Sequence, residues 1–395
     1  MGLPNVNIIL GNGNIGSVSI SDDGIAGMVL TGATVDGKDK LALGKAYVLG
    51  SFRDLEALGV TEENNPLAYK EVAAFYTEAG DGAELHIIIV SEATTLTQMC
   101  GTWQDSPVNK LIRSAGGRIR LLGLNRNTPE SYVPTLSNGL DEDVKTGIAA
   151  AQAIAENFAS QVWAFRAFLP AIGWNGTSED LYKPREGSQN RVALVMGSDG
   201  IFGKSKLYSA AIGQVLGRAA KISVHRSIAR VRDGAIAVKG YFMDGKIPEE
   251  QSSLWNTLND AGYIFYRTFV GKNGYYLNDD PMCAPTTDDY AYLNLGRVID
   301  KAISIAYLTY IDDLMDNVEV DDKGQISAAV CKSFEAAITR AVNTNMSDEI
   351  SSFSAYVNPA QDILSTGSLS IQCKIVPQGI LREINVNLSF NNPTA

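Results

Sequence analysis

Residues 261–318 read AGYIFYRTFVGKNGYYLNDDPMCAPTTDDYAYLNLGRVIDKAISIAYLTYIDDLMDNV. Two short apolar runs open the stretch, residues 263–269 and 274–277, separated by Val270-Gly271-Lys272-Asn273. Aromatic and β-branched residues bounded by Gly and Asn predict a strand hairpin. A polar, proline-containing segment covers residues 278–289. Beyond it Leu295, Ile299, Ile303, Ala306, Tyr310 and Leu314 recur at helical spacing, while Arg297, Asp300, Lys301, Ser304 and Asp312 fall elsewhere. That pattern predicts a long helix with the first set as its apolar face. No paired acid, nucleophile or metal cluster stands in the stretch.

Working outward, the chain has 395 residues, 45% of them hydrophobic, enough for two or three domains with sizeable cores. Its net charge of −11 argues against a nucleic-acid binder, which needs a basic face. No run approaches the roughly 18 apolar residues of a membrane span. The opening MGLPNVNIIL has neither the basic start nor the apolar core of a signal peptide. Cys100, Cys283, Cys331 and Cys373 stand singly, and the chain has two histidines, so a zinc site is not expected. The cysteines read as reduced and buried, with Cys331 and Cys373 on apolar faces.

The N-terminal region alternates Val6, Ile8 and Leu10 with polar residues, then turns through Gly11-Asn12-Gly13-Asn14-Ile15-Gly16 into residues 17–20. This predicts a short strand arm over residues 1–20. The turn spells GxGxxG, but a strand-like segment follows where a dinucleotide site requires a helix N-terminus. From residue 21 to 254 strands at 25–30, 46–49, 85–90, 119–124, 161–169 and 191–196 alternate with helices at 52–58, 67–79, 142–158 and 205–220. Alternation of this kind predicts an α/β core with a largely parallel sheet covered on both faces. His86 falls inside a strand with no partner for catalysis in view and reads as structural.

Two further features carry alternatives. Gly197-Ser198-Asp199-Gly200-Ile201-Phe202-Gly203-Lys204-Ser205 sits between a predicted strand and a predicted helix, the setting of a phosphate-binding loop. Gly197 is one residue too far from Gly203, so the segment reads either as a capped turn or as a nucleotide site using Lys204 and Ser205. Arg218, Lys221, Arg226, Arg230 and Arg232 gather around His225; they read as a solvated face or as a patch that meets acid on a neighbouring copy. After an acidic connection at 312–322, a helix is predicted at 325–342 and a polar connector at 343–367. Leu369, Ile371, Cys373 and Ile375 then alternate with polar residues. Past Pro377-Gln378-Gly379, so do Ile384, Val386, Leu388 and Phe390. Both runs predict strands.

The stretch GYIFYRTFVGKNGYYLNDDPM…DDYAYLNLGRVIDKAI resembles the opening of the C-terminal domain of contractile tail sheath proteins, where a strand pair and turn lead through an aromatic run into a helix that begins near an Arg. Here that run is Tyr290-Ala291-Tyr292-Leu293-Asn294-Leu295-Gly296-Arg297. Residues 25–32, 50–59 and 72–82 are similar to the family's core domain, and residues 367–377 and 384–390 to its final strands. Residues 213–227 share the layout of another family run but lack its proline-containing end.

The resemblance implies an α/β core domain (residues 21–254), a C-terminal α+β sheath domain (255–383) and terminal strand arms (1–20 and 384–395) exchanged between subunits. It implies a structural subunit, not an enzyme, with no cofactor. The implied partners are copies of itself in a helical homopolymer, an inner tail tube, a baseplate and a tail terminator, with no nucleic acid and no membrane insertion. Synthesis in a bacterial cytoplasm and assembly into a phage tail or phage-like injection apparatus follow. The interface residues expected on the strand arms are Val6, Ile8, Leu10, Leu369, Ile371, Ile375, Ile384, Val386, Leu388 and Phe390. The alternatives are an α/β nucleotide-binding enzyme or another tail or baseplate protein.

Overall fold

A computed structural model describes residues 22–177 and 179–390. The strand arm expected at 1–20, with Val6, Ile8, Leu10 and the glycine turn, and the last five residues lie outside the described residues. In chain order the strands are β1 (Ala26–Gly32), β2 (Ala46–Leu49), β3 (Leu85–Ser91), β4 (Leu121–Asn125), β5 (Leu136–Ser137), β6 (Leu140–Asp141), β7 (Arg166–Pro170), β8 (Val192–Val195), β9 (Gly197–Gly200), β10 (Ser209–Ala210), β11 (Tyr241–Phe242), β12 (Tyr263–Ile264), β13 (Tyr266–Arg267), β14 (Tyr276–Leu277), β15 (Ile350–Val357) and β16 (Ile371–Pro377). The helices are α1 (Phe52–Ala57), α2 (Pro66–Ala79), α3 (Leu96–Met99), α4 (Pro107–Ser114), α5 (Glu142–Ala159), α6 (Ile212–Lys221), α7 (Trp255–Ala261), α8 (Leu293–Tyr310), α9 (Ala328–Met346) and α10 (Ile363–Thr366). The fold is mixed α and β, as expected. It divides into two compact units, residues 1–224 with 228–301, and residues 225–227 with 302–395.

The first unit is built on a seven-stranded sheet in the order β12-β8-β7-β4-β1-β3-β2. Every neighbouring pair is parallel except β2 with β3 at the edge. β1 lies inside the sheet between β4 and β3, and its residues from Ala26 to Thr31 are all buried. Strands covered on both faces need continuous apolar runs rather than alternation, and these have them. A Cβ on Gly27 would touch Leu111 of α4, while one on Gly123 of β4 would lie 2.6 Å from Ile212 of α6. Helices therefore cover both faces. α2 and α6 approach closely because Gly213 and Gly217, one helical turn apart, present no side chain: a Cβ at either would meet a carbonyl oxygen of α2, at 2.1 and 2.6 Å. The same approach lets the Glu71 carboxylate accept from the Gly213 N–H, one of the amides that a helix start leaves without an internal partner.

The hairpin expected at 263–277 is present in shortened form. Tyr266 and Arg267 pair antiparallel with Leu277 and Tyr276, but the first residues, Tyr263 and Ile264, leave the hairpin and extend the main sheet beside β8. The long helix is also present, with a different face inward. Leu293, Asn294, Arg297, Val298, Asp300 and Ala302 are buried, whereas Ile303 and Leu314 are exposed. What turns the helix is charge. Arg166 of β7 is almost completely buried and donates from Nε to Asp300 (2.8 Å), from Nη1 to the Asn190 carbonyl (2.8 Å) and from Nη2 to the Gly296 carbonyl (3.0 Å). Arg191 forms two further bonds to the same Asp300 carboxylate, at 3.1 and 3.2 Å. A Cβ at Gly296 would lie 2.4 Å from the Arg166 guanidinium carbon, so only glycine admits the arginine here.

Removing one partner of such a pair leaves an uncompensated buried charge, which costs far more than the intact pair contributes. Asp300→Ala is expected to destabilise the first unit by about 3–5 kcal/mol in urea denaturation. A loss below about 1 kcal/mol would show that the Arg166 charge is solvated.

Candidate assembly surface

In the second unit Ser327 caps α9 by accepting from the Val330 N–H (3.3 Å), and the buried stripe Cys331, Glu335, Ile338, Val342 and Met346 faces inward. α9 packs on β15, which pairs antiparallel with β16 from Ile350↔Pro377 to Val357↔Ile371. Residues 343–367 were expected to be a polar connector; they instead carry the end of α9, the eight-residue strand β15 and the short helix α10. Leu369 and Ile371 pack against a small cluster of Ile326, Cys331 and Val357, and Ile375 is half-buried. Cys373 is exposed on β16, not on an apolar face as expected.

This sheet has only two strands, so β15 and β16 each keep one unpaired edge among the described residues. Two strands alone are marginal in water, and this pair depends on α9. The Glu335 carboxylate helps to fix it, accepting from the Val357 N–H (2.9 Å) and from Lys332. Beyond Pro377 the chain continues through residues 378–390 without helix or strand. Ile384, Val386, Leu388 and Phe390 are each at least 71% exposed. A strand was expected there; among the described residues it pairs with no other strand. Burying such a side chain is favourable by about 1.5–3 kcal/mol, so four of them constitute a large unused driving force.

Lys332 first, and the Val357 N–H second, hold the Glu335 carboxyl below the usual carboxylate range. A group whose value is depressed on folding contributes stability above its unfolded value, and that stability is lost as pH falls through the folded value. Acid should therefore loosen the β15–β16 sheet. Glu335→Gln retains an acceptor for Val357 but no charge. It should lower stability at neutral pH and flatten the acid limb of the unfolding profile; an unchanged acid limb would exclude Glu335 as its source.

The segment weighed as a nucleotide site is arranged otherwise. Gly197–Gly200 is itself a strand, β9, paired antiparallel with β10 and β11. The following helix begins at Ile212, not at Ser205, so Lys204 and Ser205 lie in a loop ahead of strand β10 and do not open α6. Ser205 Oγ lies 3.0 Å from Thr128 Oγ1 and accepts from the Leu207 N–H at 3.1 Å. In open parallel sheets ligands sit in a crevice at the carboxyl ends of the strands, beside the strand where the order reverses. Here the carboxyl end of β4 is met by the chain's own Ser209 and Ala210. Lys70 Nζ bonds Asp199 and the Ala210 carbonyl (3.0 Å), lies 3.1 Å from Glu71, and stands 4.7 Å from the Phe202 ring centre. Asn125, at the end of β4, donates to Glu71, Ser209 and the Ala210 carbonyl. Burial alone would lower the Lys70 pKa, but the Asp199 and Glu71 carboxylates outweigh it and hold the ammonium above its ordinary value. The cluster fastens a plug, and the nucleotide reading is withdrawn. Lys204 is exposed, and Lys204→Ala should change stability by no more than about 0.5 kcal/mol. A specific ATP turnover lost in that variant would restore the enzyme reading.

The other singled-out residues resolve into structure. His86 is buried in β3 with Nε2 2.7 Å from Glu84. The basic group does not stay together. Arg218 is buried and bonded to Glu78 at 2.7 Å, Arg230 pairs with Asp233 at 2.7 Å, and Lys221, Arg226 and Arg232 are exposed. Cys100 and Cys283 are free and buried, and burial pushes their thiols up. Among the described residues no helix is long and apolar enough to cross a membrane.

The fold defined by this sheet and these units is that of contractile sheath proteins. The chain superposes over 99% of its length on a chain of the anti-feeding prophage (AFP) baseplate, covering 100% of that chain, with a TM-score of 0.63 and 16% identity. Against the AFP helical sheath in contracted state the TM-score is 0.61 at 15% identity, with 99% of each chain covered. The sheath tail protein from Desulfitobacterium hafniense gives 0.53 at 10% identity, covering 95% of this chain and 100% of that one. Comparison with curated proteins gave no match. The chain belongs to the DUF2586 family: its N-terminal domain matches residues 3–281 and its C-terminal domain residues 289–395.

Proposed function

We propose that this chain is the repeating subunit of a helical contractile sheath, which surrounds an inner tube and drives it forward by contracting. The likeness in fold to a chain of the AFP helical sheath and to a sheath tail protein, over almost the whole of each chain, supports the reading. The observation that carries it is the run Ile384, Val386, Leu388 and Phe390, apolar at alternate positions and exposed, leading out of a two-stranded sheet with open edges. An extended segment added to the edge of a neighbour's sheet gains main-chain hydrogen bonds, and its alternate side chains fix the register. Leu369, Ile371 and Ile375, on and beside β16, mark the receiving sheet. Val6, Ile8 and Leu10 at the other terminus are assigned to a second donated strand. A contact of this kind, repeated head to tail without closing, gives a helical filament.

In this reading residues 255–383 form the sheath domain, residues 21–254 the outer α/β domain, and residues 1–20 and 384–395 the linking arms. The partners are further copies, an inner tube, a baseplate and a terminator. The chain is made in a bacterial cytoplasm and works in a phage tail or phage-like injection apparatus. Contraction draws on energy stored in the extended lattice, so the chain needs no catalytic centre and no cofactor.

Deletion of residues 384–395, or Val386→Pro, should leave a folded and soluble chain that no longer forms filaments, because proline removes a ladder donor. Sedimentation, microscopy and circular dichroism of these variants test it. Normal polymerisation of the truncated chain would exclude donation by this segment. Loss of its fold would assign the segment to its own chain.

A further inference from the structure

Residues 22–25 form the root of β1, and three groups from two helices fix that root. Lys301 Nζ bonds the Asp23 carboxylate at 2.7 Å, with both side chains four-fifths buried. Arg297 Nη2 donates to the Asp23 carbonyl (3.3 Å) and to the Ile222 carbonyl (3.2 Å). A Cβ on Gly24 would lie 2.4 Å from the Ala220 carbonyl of α6, so this glycine is pressed against the end of that helix. Arg297 and Lys301 are one turn apart on α8, and Asp300 beside them takes Arg166 and Arg191. One stretch of helix thus holds the root of β1 and the charged ends of β7 and β8.

We infer that Asp23 is a mechanical anchor: tension on the chain N-terminal to residue 22 enters the folded body through Lys301 and Arg297 of α8 and is kept off the first hydrogen bonds of β1. Those bonds are few at the root. Ala26 donates to the Glu84 carbonyl at 3.2 Å, and Arg120 to the Ile25 carbonyl at 2.9 Å. Load applied at Ala26 would break them singly and unzip the strand from its end. Load applied at Asp23 must first break an ion pair and a charge-assisted bond to helix α8, each stronger in kind than the neutral backbone bonds at the root. The inference rests on the sheath reading for its source of tension. The clamp itself is a property of the single chain.

The test uses the full chain with Lys301→Met, Asp23→Asn and the conservative Lys301→Arg. In unassembled protein, hydrogen exchange of the amides of residues 23–26 should speed up roughly tenfold in the first two variants, remain near wild type in the third, and stay unchanged in β1 from Met28 onward. In assembled protein, tubes of the first two variants should break at lower urea or shear than wild-type tubes, by a margin larger than any drop in the urea midpoint of the unassembled chains. Unchanged exchange at residues 23–26 overturns the clamp. Faster exchange with tubes as robust as wild type overturns the anchoring role. Wild-type protein that forms no tubes refutes the sheath reading, and the load path with it, while exchange still decides whether Asp23 is clamped.

Discussion

The buried Arg166–Asp300 pair constrains the first unit more than any apolar contact does. Two charges withdrawn from water are costly unless geometry and extra hydrogen bonds compensate them. Here the guanidinium spends its donors on a carboxylate and two carbonyls, and the carboxylate takes a second arginine. Each partner dictates something else. Gly296 must lack a side chain so that the guanidinium can reach its carbonyl. α8 must turn Arg297 and Asp300 inward, which leaves Ile303 to solvent. Asn190, just before β8, must present its carbonyl. The sheet itself would form from apolar runs alone; the ion pair decides which helix face lies upon it.

This also explains where sequence reasoning stopped. The central strands were legible because parallel strands covered on both faces are short continuous apolar runs, and β1 and β3 are such runs. α2 and α5 were legible from their periodicity, and β16 from strict alternation. α8 was legible as a helix but not in its orientation. An amphipathic pattern assumes that charge faces water, and nothing local tells a solvated Asp300 from one neutralised by an arginine 134 residues earlier. β15 was missed because Ser351, Ser352 and Ser354 gave its segment a loop-like composition; the alternation of Phe353, Ala355 and Val357 was the signal available. The start of α6 was set too early because Lys204-Ser205 after a glycine imitates a helix start, whereas strand β10 intervenes.

The open sheet of the second unit is intelligible as one half of a structure. A two-stranded sheet whose outer edges pair with no other described strand, followed by a segment with four exposed apolar residues, leaves backbone donors and acceptors and apolar surface unused among the described residues. Proteins that remain monomeric guard such edges with charge, proline or cover. Here Lys374 and Pro377 stand on β16, yet the segment beyond them carries four exposed apolar residues. The contrast with the first unit is instructive: there the place where an α/β sheet binds a ligand is plugged by Asp199, Phe202 and Ala210, locked by Lys70. The chain packs its own residues at that end of the sheet, while the edges of its two-stranded sheet pair with no other described strand.

Electron microscopy of the purified wild-type chain, concentrated without any partner, tests this most directly. Hollow tubes with a regular helical repeat, built from the chain alone, are the expected result. A monodisperse monomer or a small closed ring under the same conditions would contradict the proposal that its strand edges link copies into a sheath.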